Sequence, residues 1–568
     1  MSALGSELQK IIRGEVSESG DILEKFSRDA SLFVVRPELI VSPKDASDIA
    51  AVVKFVSEKK KVPKTHISIT ARAAGTDMSG GPLNDSIILD MTAHMQGGIE
   101  VGSKSATVLP GTYFRDFDRE TKKKNFELPS YTASRELCTV GGMVANNSGG
   151  EKNLKYGKTA RYVEELDVIL ADGEVHTLKN LEGEMLAHKL KEESYEADVY
   201  RRTAALVSRA ANKKTIEEHK PTVEKNSSGY ALWDIGDGIT SLNLARLMVG
   251  AQGTLGIITK IKFGLVHPKP YAAMTIIFLD SLSQLGEVVP HVLAHAPDSF
   301  ESYDDHTFTL AMKYFPELAS QMKGGILQLG FSFLPEFWMV LRGGVPKLIL
   351  LAEFRAHTQA EALKQAQELA QEIKKSKVHV GVRIAKNEHA AKKYWAVRRE
   401  SFNLLRKKVR GKRTAPFIDD FVVRPELLPE FLPKLEEVLS KYDLLYTIAG
   451  HVGDGNFHII PLVNPKDTSV APMIDELSHK VYDLVIEHHG SISGEHNDGF
   501  IRTPYVEKMF GHDMYALFHE VKMIFDPLNI FNPGKKVGSN FSDALSHLDL
   551  PTGQAGLPKK KDDTIIKS

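Results

Sequence analysis

Residues Gly450-His451-Val452-Gly453-Asp454-Gly455-Asn456-Phe457-His458 place two histidines seven apart, with glycines beside and between them. Farther on comes Gly494-Glu495-His496-Asn497-Asp498-Gly499. The two runs together offer three imidazoles and two or three carboxylates. Neutral imidazole with carboxylate is the donor set of an open catalytic zinc or manganese site. The plain alternative is a pair of ordinary histidines in a hairpin, and spacing alone does not separate the two.

The elements around the first run have to hold it. Tyr446-Thr447-Ile448 and Phe457-His458-Ile459-Ile460 read as strands. The glycines permit a tight reversal that brings both histidines to one side. Phe457 alternates with His458 and should point the other way, into a core. Upstream, Ser42-Pro43-Lys44-Asp45 opens a helix with serine as the cap, proline in the first turn and an acid three residues on. Ile49, Val52, Val53 and Val56 then form one apolar face. Strands are expected around Ile67 and Ile69 and over residues 86–91.

Three glycine-rich segments follow. Between those strands, residues 72–81 carry Gly75, Gly80 and Gly81 with Thr76, Asp77 and Ser79. Consecutive N–H groups in such a loop suit a pyrophosphate, although a surface turn is the bland reading. The loop leads to a strand rather than a helix, so it is not a GxGxxG fingerprint. Residues 139–150 are nearly free of large side chains, which suggests backbone laid along a flat ligand. Gly157-Lys158-Thr159 resembles the end of a phosphate-binding loop, but Lys152 stands where its first glycine belongs. Residues 247–258 form the third segment and end in a strand.

The chain has 568 residues, a net charge of −1, 42% hydrophobic residues and one cysteine, Cys138. That is room for two to four domains of ordinary globular composition. The charge balance gives no sign of nucleic-acid binding. A lone cysteine excludes an internal disulfide and an iron–sulfur cluster held by this chain, and it fits a reducing compartment. The N-terminus does not read as a signal peptide, and no apolar run reaches the ~18 residues of a membrane span.

The order of these segments resembles the flavoproteins of the vanillyl-alcohol oxidase / p-cresol methylhydroxylase class. Within it, the chain is similar to the D-lactate, glycolate and D-2-hydroxyglutarate dehydrogenase family. The residues that carry the resemblance are 72–81, 139–142, 147–150, 253–258, 450–458, 493–496 and 525–535, with Asn532-Pro533-Gly534-Lys535 closing the last.

The resemblance implies an α+β fold. A PCMH-type FAD-binding domain of two subdomains spans 35–267, after a helical extension over 1–34. A cap with an antiparallel sheet spans 268–470. A helical segment over 471–545 completes the flavin site, and 546–568 is a tail. The implied flavin contacts are Arg72, Gly75, Thr76, Asp77, Ser79 and Gly80 in the first loop. Thr139, Gly142, Asn147, Ser148, Gly149 and Gly150 follow in the second, then Gly253, Gly256, Ile257 and Ile258, and finally Asn532. Thr76 stands where some members attach flavin to histidine, so the FAD is expected to be non-covalent. Gln252 departs from the glutamate that relatives often carry.

The resemblance further implies oxidation of a D-2-hydroxy acid to the 2-oxo acid, with hydride passing to flavin. His451, His458 and Glu495 are the expected ligands of a divalent metal, zinc or manganese, and His496 is the base. Arg398, with Arg399 as fallback, and Asn456 would orient the substrate carboxylate. Electrons would pass to an external quinone, electron-transfer flavoprotein or iron–sulfur subunit. A cytoplasmic place is expected. Peripheral membrane contact through the apolar run 331–342 and a homodimer stay open, as does a role for the basic run 406–413. Two other readings are a metal hydrolase with structural glycine loops and a non-oxidising flavoenzyme like the alkylglycerone-phosphate synthases.

Overall fold

The computed structural model describes residues 1–313, 344–408 and 411–549. The apolar run 331–342 and the tail from 550 lie outside the described residues.

The first helix face behaves as its periodicity requires. Ile49, Val52, Val53 and Val56 are buried along helix Ala46–Lys60. The cap, however, is Asp45, whose carboxylate accepts from Ser47 N at 2.9 Å. Ser42 is drawn into strand Leu39–Ser42 by pairing with Glu15, so the helix begins three residues later than the serine–proline start suggests. Leu39–Ser42 and Ile69–Arg72 flank Ile87–Asp90 in parallel, and Glu15–Ser17 adds an antiparallel edge. The N-terminal extension is therefore part strand as well as helix.

A second sheet is antiparallel throughout. Its six strands run Glu100–Val101, Ser105–Val108, Ile257–Gly264, Val163–Ile169, Val175–Glu182 and Ser241–Asn243 in spatial order. Ile169 and Ile257 also pack into the core of the first sheet, which joins the two units. The segment 139–150 differs from expectation. Residues Val140–Asn146 form a short helix, capped by Thr139 accepting from Gly142 N at 3.3 Å, and Asn147 ends it in a left-handed conformation with φ 48°.

The cap is a seven-stranded antiparallel sheet. Its spatial order is Gly381–Ala385, Tyr271–Leu279, Leu348–Ala356, Ser299–Asp304, Ile448–His451, Asn456–Ile459 and Phe421–Val422. Helices Leu285–Ala294 and Gln359–Lys375 cover one face. Helix Val470–Glu487 packs on this core through Ile474, Leu477, Val481 and Val485. Helix His512–Phe525 instead returns to the second sheet's core, where Leu517, Phe518 and Val521 lie among Val168 and Leu247. The expected α+β architecture, with an antiparallel cap and a helical C-terminal segment, is borne out.

Candidate active site

Hairpin register sets the metal-type residues. Ile448–His451 pairs with Asn456–Ile459 so that His451 faces Asn456 and Ala449 faces His458. Directly opposed residues share a sheet face, and so do i and i+2. His451, Asn456 and His458 thus project to one side. Phe457 projects to the other, into the cap core against Phe421. Gly455 makes the turn, with φ 68°.

Loop residues Glu495 and His496 meet this face. Three imidazole Nε2 atoms converge on one carboxylate oxygen: Glu495 Oε1 lies 3.4 Å from His451, 3.3 Å from His458 and 3.8 Å from His496. Each imidazole has a carboxylate behind it. His451 Nδ1 lies 2.6 Å from Glu301 Oε1. His458 Nδ1 is 3.1 Å from Asp419 Oδ1, and His496 Nδ1 is 2.7 Å from Asp419 Oδ2. A carboxylate behind each ring, with Nε2 turned inward, is how metal-binding histidines are oriented. Ligand atoms of Asp420, His458, Glu495 and His496 also fall within 4.8 Å of one another. Asp420 is nonetheless engaged. Its oxygens accept the N–H groups of Glu495 and His496 (2.9 and 2.7 Å), the Ser493 hydroxyl (2.8 Å) and the Asn456 amide (3.1 Å). It fixes the loop, from a left-handed backbone with φ 67°. With Asp420 committed to the loop, His458, Glu495 and His496 remain of that group, and His451 Nε2 also lies 3.4 Å from Glu495 Oε1.

Four carboxylates, Glu301, Asp419, Asp420 and Glu495, stand near the cations Arg398, Lys225, Lys158 and Arg502. Burial would lower the pKa of His458, but Asp419 and Glu495 outweigh it and hold it at about 10. Burial opposed by Asp420 and Asp419 leaves His496 raised as well. Burial likewise opposes ionisation of Glu495, yet Lys225 and the histidines hold its pKa well below the usual carboxylate range. The cluster therefore favours added positive charge, as protons or as a divalent cation that displaces them. Its donors fit zinc or manganese.

Glu495 and His496 also line a cleft. Its walls come from residues 71–82, 132–149 and 248–258 and are mostly backbone and small side chains. Gly75, Thr76, Asp77, Thr139, Gly142, Ser148, Gly149, Gly253, Gly256 and Ile258 all line it. A side chain on Gly253 would project into open space, and the residue has φ 69°. Asp77 joins three segments: its oxygens accept from Ser79 N–H and Oγ, from Asn146 Nδ2 at 3.0 Å and from Gln252 Nε2 at 3.4 Å. Gln252 also accepts Gly499 N–H at 2.9 Å, so the departure from glutamate supplies both an amide donor and an acceptor here. These narrow, small-residue walls fit a flavin.

Other expected contacts sit behind the walls. The Arg72 guanidinium donates to the carbonyls of Phe26 (3.0 Å) and Arg28 (2.5 Å), which tie down the N-terminal extension. Ser79 is buried on Asp77, and Gly80 turns beneath Phe33 and Phe500. Asn147 accepts Ala160 N–H at 3.0 Å, while Gly150 packs on the Tyr131 carbonyl. Ile257 is core. Asn532 donates to Gly81 O (2.9 Å) and Gln252 O (2.7 Å), which clamps two cleft loops together.

Arg398 reaches Glu301 Oε2 through Nε (3.2 Å) and Nη2 (3.1 Å). It is thereby placed one carboxylate away from His451. Arg399 points elsewhere, to Glu151, with its guanidinium 4.5 Å from the Trp395 ring centre. Asn456 has a different place from the one expected. Its Oδ1 accepts from Lys225 at 2.7 Å and its Nδ2 donates to Asp420 and Phe421, so its amide holds the site together rather than facing a substrate. Of the basic run, Arg413 binds Asp549 at 2.6 Å; the side chains of 406–410 lie outside the described residues.

Comparison with known families agrees with this geometry. The FAD binding domain matches residues 37–179, and the C-terminal domain of FAD linked oxidases matches residues 269–536. The chain belongs to the FAD-linked oxidases. A D-2-hydroxyglutarate dehydrogenase of Pseudomonas putida is 27% identical over 97% of this chain, which covers 53% of that protein. The chain thus spans about half the length of that relative. A D-lactate dehydrogenase of Archaeoglobus fulgidus is 26% identical, with 88% and 91% of the two chains covered. The 4-ethylphenol oxidase of Gulosibacter chungangensis shares the fold, with TM-score 0.66 at 13% identity over 95% of this chain and 98% of that one.

Several residues of the oxidase's site escaped the sequence reading. Asp419-Asp420 lies between Phe417-Ile418 and Phe421-Val422, and two acids inside an apolar run must be buried with partners. That signal was available. Glu301 and Lys225 carry no such mark, because each becomes visible only when distant strands and loops meet.

Proposed function

We propose that this FAD-linked oxidase oxidises a D-2-hydroxy acid to the corresponding 2-oxo acid, with FAD and a divalent cation. The observation that carries the reading is the convergence of three imidazole Nε2 atoms on Glu495 Oε1, where Glu495 and His496 line the flavin-type cleft. Bound FAD supplies the hydride acceptor for the carbinol C–H, and a cation on His451, His458 and Glu495 supplies Lewis acidity toward the substrate hydroxyl.

The chain's own residues do the rest. His496 lines the cleft. His496 accepts the hydroxyl proton at Nε2 while Asp419 holds its Nδ1 edge. Arg398 binds the substrate carboxylate beside Glu301, since a guanidinium can serve two carboxylates from different edges. Small walls at Gly149 and Ser148 let the substrate approach closely. The chain's one cysteine cannot ligate an iron–sulfur cluster, so electrons leave for an acceptor outside it: a quinone, an electron-transfer flavoprotein or an iron–sulfur protein. Among the described residues no helix is long and apolar enough to cross a membrane.

The experiment is spectroscopic. Purified protein should show a flavin band, and anaerobic D-lactate, glycolate or D-2-hydroxyglutarate should bleach it. A colourless protein that FAD cannot reconstitute removes the proposal in favour of a hydrolase. A flavin band that no hydroxy acid bleaches favours a non-oxidising flavoenzyme.

A further inference from the structure

Lys225 comes from a loop of the FAD-binding part of the chain, yet its fully buried ammonium ends inside the cluster. It lies 2.9 Å from Glu495 Oε2 and donates to Asn456 Oδ1 at 2.7 Å. One cation thus holds the catalytic loop and the hairpin together. Its stem runs against Gly149, where an added Cβ would lie 3.2 Å from Lys225 Cε and 3.1 Å from Glu495 Oε2. The backbone of a cleft wall therefore packs directly on the pair.

The loop that carries Lys225 is itself fixed. Ser227 N–H donates to Ser493 O at 2.9 Å. Lys158 Nζ binds Asn226 O and Gly494 O at 2.7 and 2.6 Å. Lys536 Nζ joins Ser227 O to Asp498 Oδ2, both at 2.9 Å. Lys225 cannot swing away without breaking this packing. With Lys225 Nζ paired to Oε2, Oε1 is the Glu495 oxygen turned to the three imidazoles. Hard cations seek several carboxylate or carbonyl oxygens, whereas imidazole suits zinc.

We propose that Lys225 is a positioning residue that restricts Glu495 to one ligating oxygen and thereby selects zinc over harder, oxygen-seeking cations. This rests on the metal reading given above. Sequence spacing gives no hint of it, because Lys225 and Glu495 are 270 residues apart and meet only through the fold.

The test uses the full chain loaded with FAD and stripped by chelator. Zn²⁺ and Mn²⁺ affinities are measured by competition with a chromophoric chelator for the wild type, Lys225→Met and Lys225→Arg. Methionine keeps an apolar stem and removes the charge; arginine returns it. In Lys225→Met the ratio of zinc to manganese affinity should fall about tenfold with flavin content unchanged, and Lys225→Arg should recover part of it. An unchanged ratio in flavin-loaded Lys225→Met overturns the proposal. Should that variant lose flavin, a structure of the zinc-loaded wild type decides. One Glu495 oxygen on zinc with Oε2 still on Lys225 supports the proposal, and both oxygens on zinc refute it. A wild type that binds neither cation contradicts the metal reading itself.

Discussion

On the proposed reading, removing His496 takes away the proton acceptor while leaving most of the flavin cleft in place. His496→Ala should slow anaerobic flavin reduction by about 10²- to 10⁴-fold, with the flavin spectrum retained. Normal reduction by this variant would assign the base elsewhere. Glu301 acts through His451 and Arg398, both of which it binds. Glu301→Gln should weaken metal affinity about 10- to 100-fold, read by metal content after dialysis. The histidines were legible in the sequence because glycine-framed imidazoles have a spacing to read. Their orienting carboxylates were less so: Glu301 is one acid in a strand buried on both faces and means nothing until His451 lies beside it.

At the level of elements, the hairpin sets the site and its turn has little freedom. A Cβ on Gly455 would fall 1.7 Å from Val423 O, at φ 68°. Gly455→Ala should cost about 2 kcal/mol by denaturant titration and reduce metal uptake, because His451 and His458 lose their shared face. A second prediction concerns the junction of flavin-binding part and cap. Burial pushes the Glu151 pKa up, but Arg399 and Arg135 outweigh it and hold it at about 2. The folded value lies below the usual 4.5, so the stabilisation is present above that pH and is lost as pH falls from 4.5 toward 2. Melting curves of wild type and Glu151→Gln should be well separated at pH 6 and draw together toward pH 3. Strand and helix periodicity was easy to read at this scale, as with the face Ile49 to Val56. The short helix Val140–Asn146 was not, since small residues and glycines favour no element strongly, and it was a cap, Thr139, that settled it. Sheet pairing through Ser42 likewise overrode a plausible helix start.

For the molecule as a whole, function depends on parts far apart in sequence meeting at one place. Lys225, Glu301, Asp419, the hairpin and residues 494–498 belong to five regions of the chain, joined by buried ion pairs rather than by one motif. The two-part architecture could be anticipated because the glycine segments and the cap strands differ in character along the chain. Their mutual placement could not, since it is set by non-local packing. On the proposed reading, FAD oxidises a hydroxy acid whose hydroxyl is held by the cation-binding cluster beside it. The most direct measurement is anaerobic single-turnover reduction of the flavin by D-2-hydroxy acids, before and after chelator and again after zinc or manganese is returned. The account predicts bleaching by at least one acid, its loss on chelation without loss of FAD, and its recovery with the metal. Flavin reduction that proceeds unchanged in metal-free protein would contradict it.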